Sequence, residues 1–194
     1  MTEKEQIYYE LLALRCKRGD SGAIEELIHT FETRLFYYIR RLVNQEEDAW
    51  DVLQETWVKV FQGISKLREP RTLPLWLYRI ARNTAISRVR KDIAARNMIA
   101  AIDSEPQPVN AEPEISNALS SFDADRVHQA LSQISFPHRE VLTLYFLEDL
   151  SLDEIAEIIE VPVGTIKSRL YYAKLALRKI IEQEDEPHEQ TFSR

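Results

Sequence analysis

Apolar residues in this chain recur at helical spacing rather than in alternation. Ile24, Leu27, Ile28, Phe31, Leu35, Ile39 and Leu42 fall at steps of three and four. They form one stripe of a helix predicted from about Gly22 to Val43. Residues 3–18 predict a shorter amphipathic helix, stopped at Gly19. A third helix is expected from about Glu46 to Phe61, burying Ala49, Val52, Leu53, Trp57, Val60 and Phe61. Gly63 and the stretch from Pro70 to Pro74 mark a loop. Pro74 also suits the first turn of a fourth helix running to about Arg96.

Between about Asn97 and Ser121 the periodicity stops. The string DSEPQPVNAEPE carries three prolines and four acids with almost no large apolar residue. Such a composition cannot bury a core and predicts an extended linker. Helical signals resume near Asp123 and continue to about Ile181. The expected fold is therefore all-α, with two small helical domains, 1–96 and 122–181. A flexible acidic linker, 97–121, joins them, and an acidic tail, 182–194, closes the chain.

The second domain contains the clearest local signal. Ser151 and Glu154 have capping-box spacing, so a helix should begin at Leu152 and bury Leu152, Ile155, Ala156 and Ile159. Pro162 cannot continue that helix but is suited to begin the next, which makes a helix-turn-helix. In the second helix Ile166, Leu170, Ala173 and Leu177 mark the inner face. Thr165, Lys167, Ser168, Arg169, Tyr171, Tyr172 and Lys174 are expected largely outside, where cations reach phosphates or base edges in a major groove. An ordinary helical hairpin with a solvated basic face has the same pattern.

The net charge of -7 argues against nucleic acid until it is resolved along the chain. Residues 66–96 hold nine basic and two acidic side chains, and 163–181 hold five basic and none acidic. Residues 103–125 carry six acids and no base. Phosphate responds to the local field, so two basic islands in an acidic background fit nucleic acid better than the total suggests. Within the first island, LPLWLYRIARNTAISRVRK sets Trp76, Tyr78, Arg79, Arg82, Asn83, Arg88, Arg90 and Lys91 on one helix. Aromatics mixed with cations and an amide suit single-stranded nucleic acid, although a basic helix with a structural role is an alternative. Upstream, Asp48, Asp51 and Glu55 form an acidic stripe at i, i+3 and i+7, which is either a solvated face or a docking surface.

Other chemistries find little support. Cys16 is the only cysteine, and His29, His128, His138 and His188 match no zinc-ligand spacing, so no metal or cofactor is expected. No apolar run is long enough to cross a bilayer, and the N-terminal stretch is not a signal peptide, which predicts a cytoplasmic protein. No nucleophile or Gly-rich motif points to an enzyme.

The string PVGTIKSRLYYAK, preceded by LSLDEIAEII and FPHREVLTLYFLEDL, resembles region 4 of bacterial sigma factors from about Leu131 to Lys179. DAWDVLQETWVKVF and LPLWLYRIARNTAISRVRK together resemble region 2 of the extracytoplasmic-function group, across about Gly19 to Lys91. The resemblance implies a factor that binds core RNA polymerase and directs promoter-specific transcription initiation. By motif position Asp48, Asp51, Leu53, Gln54 and Glu55 would meet the clamp helices of the polymerase largest subunit. Trp76, Arg79, Asn83 and Arg88, with the loop from about Gln62 to Leu73, would hold the opened single strand at −10. Thr165, Lys167, Ser168, Arg169 and Tyr171 would read duplex DNA at −35, and the same domain would dock on the polymerase flap. The resemblance also implies a monomer when free and allows for an anti-sigma partner. Trp50, Ser87 and Tyr172 depart from the family pattern, which leaves docking strength and promoter preference open. Two rival readings are a helix-turn-helix regulator with a sensor or dimerisation domain and a helical protein-interaction adaptor.

Overall fold

The computed structural model describes residues 2–43, 45–95 and 130–185. Among them every regular element is helical: α1 (Glu3–Lys17), α2 (Ser21–Leu42), α3 (Glu46–Gly63), α4 (Leu73–Ala95), α5 (Phe136–Leu142), α6 (Leu152–Ile159) and α7 (Val163–Asp185). The linker predicted over 97–121 lies outside the described residues, as does the tail beyond residue 185. Helix α7 runs four positions past the predicted end at residue 181. Glu182 and Gln183 are good helix formers, and Pro187 is the first residue that must stop the helix.

The first four helices pack around Leu12, Leu27, Phe31, Leu35, Ile39, Leu53, Leu73 and Leu77, each almost fully buried. Thr2 and Glu5 cap α1 reciprocally, and Asp20 caps α2 by accepting from the Ala23 amide at 3.1 Å. Between them Gly19 takes a positive φ of 78°, the left-handed turn that ends α1. Two short 3₁₀ turns, Ile64–Lys66 and Pro70–Thr72, carry the chain from α3 to α4. Lys17 ties α1 to this connection by donating to the Leu67 carbonyl at 2.6 Å.

The second group packs α5, α6 and α7 over Val141, Leu144, Ile155, Ile158, Ile166, Ala173 and Leu177. The capping box foreseen at Ser151 forms: the Glu154 amide donates to Ser151 Oγ at 3.3 Å, and the Ser151 amide donates to Glu154 at 2.9 Å. Helix α6 ends at Glu160 in the left-handed region (φ 62°), and the Pro162 carbonyl accepts from Thr165 at 2.9 Å and Ile166 at 3.2 Å to launch α7. Between α5 and α6 the helix widens into a π-helical turn, Thr143–Leu147. The two groups touch, with α4 against α6 and α2 against α5.

Candidate polymerase and nucleic-acid interfaces

On α3, Asp51, Gln54 and Glu55 face solvent and Asp48 is half-buried. Leu53, expected both in the core and on the docking surface, is core: it is 2% exposed. Its position one residue before Gln54 turns it about 100° around the helix axis, into the core. The acidic stripe is partly neutralised within the chain. Arg88 reaches Asp48 at 2.5 Å and Asp51 at 3.7 Å, and Lys59 reaches Glu55 at 2.8 Å. The Lys59 hydrogen bond is the main reason that the Glu55 carboxyl is held below its ordinary range.

Beside the acids, Trp50, Val58 and Phe61 are exposed. With Gln54 they follow steps of four, four and three, so α3 carries a second apolar face. Phe61, predicted buried, belongs to that face; its ring stacks on Trp57 with centroids 5.8 Å apart. The indole of Trp50 lies 4.1 Å from the Phe36 ring, so this departure from the family pattern extends an aromatic patch on α2.

Helix α4 presents the first basic island. Leu73, Leu75, Leu77, Tyr78, Ala81 and Ala85 face the core, leaving Asn83, Arg90 and Lys91 exposed and Arg79, Arg82 and Arg88 half-buried. Trp76 is half-buried against Gly63, where a Cβ would stand 3.1 Å from the indole Cζ2. Gly63 is therefore the residue that lets this ring lie over the end of α3. Arg79 donates to Glu157 at 3.0 Å and lies 3.7 Å from Glu160; Arg82 donates to Glu140 at 2.7 Å. Of the residues expected at the −10 strand, Asn83 thus stands open, while Arg79 and Arg88 already hold carboxylates.

On α7, Lys167 is exposed and Thr165, Arg169 and Tyr171 are half-buried. Ser168, expected on the outer face, instead points inward: it is 3% exposed and its hydroxyl donates to the Gly164 carbonyl at 3.1 Å. Bonding to the carbonyl four residues back is the usual way a buried helical serine satisfies its hydroxyl. Tyr171 and Tyr172 meet edge to face at 5.3 Å. Lys174 lies over the Tyr145 ring at 5.3 Å and the Phe146 ring at 5.7 Å, which holds its stem against the π-helical turn.

Comparison with known proteins supports the assignment at three levels. The family model for Sigma-70 region 2 matches residues 27–93 and that for Sigma-70, region 4 matches 124–177. The RNA polymerase sigma-H factor of Pseudomonas aeruginosa is 31% identical over 88% of this chain and 92% of its own. The ECF RNA polymerase sigma-E factor of Escherichia coli is 31% identical over 89% of this chain and 94% of its own.

The chain belongs to the extracytoplasmic-function group of sigma-70 RNA polymerase sigma factors.

ECF sigma factor SigW of Bacillus subtilis, 28% identical over 84% of this chain and 91% of its own, is a further relative. Among solved structures, CnrH in complex with the cytosolic domain of CnrY superposes with a TM-score of 0.68 at 22% identity, covering 91% of this chain and 99% of that one. Sigma factor RpoE, in complex with the anti-sigma factor NepR from Bartonella quintana, gives 0.66 at 22% identity over 81% and 96%. These two establish the fold. As a member of this group the sigma factor directs promoter-specific transcription initiation. The family is not a class of enzymes, and no helix among the described residues is long and apolar enough to cross a membrane.

Buried carboxylates are the feature that sequence reasoning missed. Glu140 and Glu148 sit in the apolar stretch from Phe136 to Leu150 and come from the second helical group, yet both meet the first. Glu140 accepts from Arg82 and, at 3.3 Å, from Tyr38; Glu148 accepts from Arg34 at 3.1 Å and from Tyr78. Burial pushes both carboxyls above the ordinary range, only partly opposed by Arg82 and by Tyr78 with Arg34. The one hint in sequence is an acid at each end of the largely apolar run 141–147.

Proposed function

We propose that the two helical groups divide promoter recognition: 1–96 docks on core RNA polymerase and captures the opened −10 strand, and 122–181 reads duplex DNA at −35. The observation that carries this is the placement of a solvent-facing acidic and apolar helix, α3, directly beside a basic aromatic helix, α4, in the same small domain. Asp51, Gln54 and Glu55, with Asp48 at their edge, form the surface for the clamp helices of the largest subunit. Trp50, Val58 and Phe61 extend it. Trp76, Arg79, Asn83 and Arg88 serve the −10 strand, and Thr165, Lys167, Arg169 and Tyr171 serve −35, with Ser168 holding the helix rather than the DNA.

The 97–121 linker joins two weak DNA readers on one polymerase, which raises affinity without a large interface at either site. The −35 domain also docks on the flap. The protein acts in the cytoplasm, without catalysis of its own. The solved relatives bound to CnrY and to NepR support an anti-sigma partner here as well. The test is a pair of variants in a purified transcription system. Asp51→Lys should lower affinity for core polymerase by about tenfold or more while leaving helicity unchanged. Lys167→Glu with Arg169→Glu should leave core binding intact and abolish initiation that depends on the −35 element. Equal core binding by all three proteins would remove the docking surface from α3.

A further inference from the structure

Helix α2 turns Arg34, Tyr38 and Arg41 toward the second helical group, at steps of four and three along the chain. The first two meet acids: Arg34 reaches Glu148 at 3.1 Å, and Tyr38 donates to Glu140 at 3.3 Å. The third meets a cation. Arg41 faces Arg139 of α5, so two half-buried guanidiniums confront each other where α2 packs on α5. The Nε atom of each is closed off from solvent and has no hydrogen-bond partner among the described residues.

The chain's own acids at this contact are already committed. Glu140 follows Arg139 directly, but its oxygens serve Arg82 and Tyr38; Glu148 serves Arg34 and Tyr78. The groups that act on Arg41 are Arg40, the Tyr37 phenol and Arg139, and Arg169 of α7 adds positive charge beside His138 and Glu140. Burial holds both Arg41 and Arg139 below the ordinary arginine range, and Arg40 and Arg139 lower Arg41 further. A guanidinium so placed still keeps its proton. Two enclosed like charges with unmet N–H donors are unfavourable on both counts, and an anion between them would relieve both.

We propose that Arg41 and Arg139 form an anion site shared by the two helical groups, which takes a tetrahedral oxyanion: inorganic phosphate, or the phosphoryl group of a small phosphomonoester. Each guanidinium is a rigid planar fork that can lay two parallel N–H bonds on one oxyanion. A carboxylate has its two oxygens in one plane and suits a single fork. The oxygens of a phosphoryl group lie in several planes, so forks arriving from opposite sides can be met at once. Tyr37, 57% exposed and one helical turn before Arg41, offers a ring surface for the remainder of an ester. The site uses none of the residues assigned above to polymerase or promoter, so its test does not depend on that assignment.

The experiment follows the arginine Nε–H signals of the full chain by NMR, with ¹⁵N-labelled arginine. Inorganic phosphate is exchanged for chloride at constant ionic strength, and adenosine monophosphate is titrated in a parallel series. Arg41→Lys and Arg139→Lys each remove one signal and so assign the pair. Both signals should move along one saturating curve with a Kd of about 1 mM or below, while that of the exposed Arg18 stays in place. Lysine keeps the charge but loses the fork, so in either variant the remaining signal should report affinity about tenfold weaker. Tighter binding of adenosine monophosphate than of phosphate would assign the site to an ester, and the reverse to the free ion.

Signals of Arg41 and Arg139 that stay still in both titrations, or that drift without saturating, overturn the site from the wild type alone, whether or not the variants fold. Saturating shifts that keep their affinity in a folded Arg41→Lys and a folded Arg139→Lys would place the anion elsewhere and overturn it equally.

Discussion

Leu53 and Gln54 are adjacent in sequence and opposed in role. Leu53 fills the core under α3, so Leu53→Ala should cost about 2–5 kcal/mol of stability and lower core binding only through unfolding. Gln54→Ala should leave the melting temperature within experimental error and weaken core binding directly. Thermal melting beside a core-binding titration separates the two. His138 offers a residue-scale test of a different kind. Burial, then the charge of Arg169, pulls its imidazole below the ordinary 6.5. In the unfolded chain the ring protonates as pH falls through 6.5 while in the fold it stays neutral, so the wild type should lose stability relative to His138→Gln below that pH. Glu140 and Glu148 are displaced upward and act in the opposite direction, but they are common to both proteins and cancel in the difference. A melting-temperature difference that is flat from pH 7.5 to 5 would contradict this environment for His138.

Among elements, the helix-turn-helix depends on its two ends. Ser151→Ala removes the hydroxyl that accepts the Glu154 amide and should destabilise the second group by about 1 kcal/mol. Glu160→Gly should act the other way, because a residue with a side chain is held there at φ 62°; relief of roughly 1 kcal/mol is expected by denaturant melting. Its ion pair with Arg79 spans 3.7 Å at an exposed site, too weak to reverse the sign. These ends were legible in the sequence because a capping box and a proline act within a few residues. The inner faces of α2 and α7 were legible for the same reason, since a stripe of apolar residues needs only a helix and a core. Phe61 was misjudged because α3 carries apolar residues on two faces, and periodicity cannot say which one meets the protein. Ser168 was misjudged because a small polar residue on a helix is as readily satisfied inward, by the carbonyl of the preceding turn of its own helix, as outward by a ligand. The π-helical turn at Thr143–Leu147 left no trace in the pattern.

For the molecule as a whole, what the sequence concealed is long-range. Arg82 and Glu140 are separated by 58 positions, and Arg34 and Glu148 by 114. Each looked like one more charge in a local sum. Only folding shows that acids of one domain meet cations of the other across a contact. The family match explains what the domains are for; the ion pairs join one to the other. The division of labour between the domains is tested most directly by run-off transcription with purified core polymerase on fragmented genomic DNA from the source organism, with and without this protein. Discrete new start sites sharing one sequence block near −10 and another near −35, with dependence on the second block lost in Lys167→Glu/Arg169→Glu, are the predicted result. Start sites that lack a shared upstream block, or that are used equally well by that double variant, would contradict it.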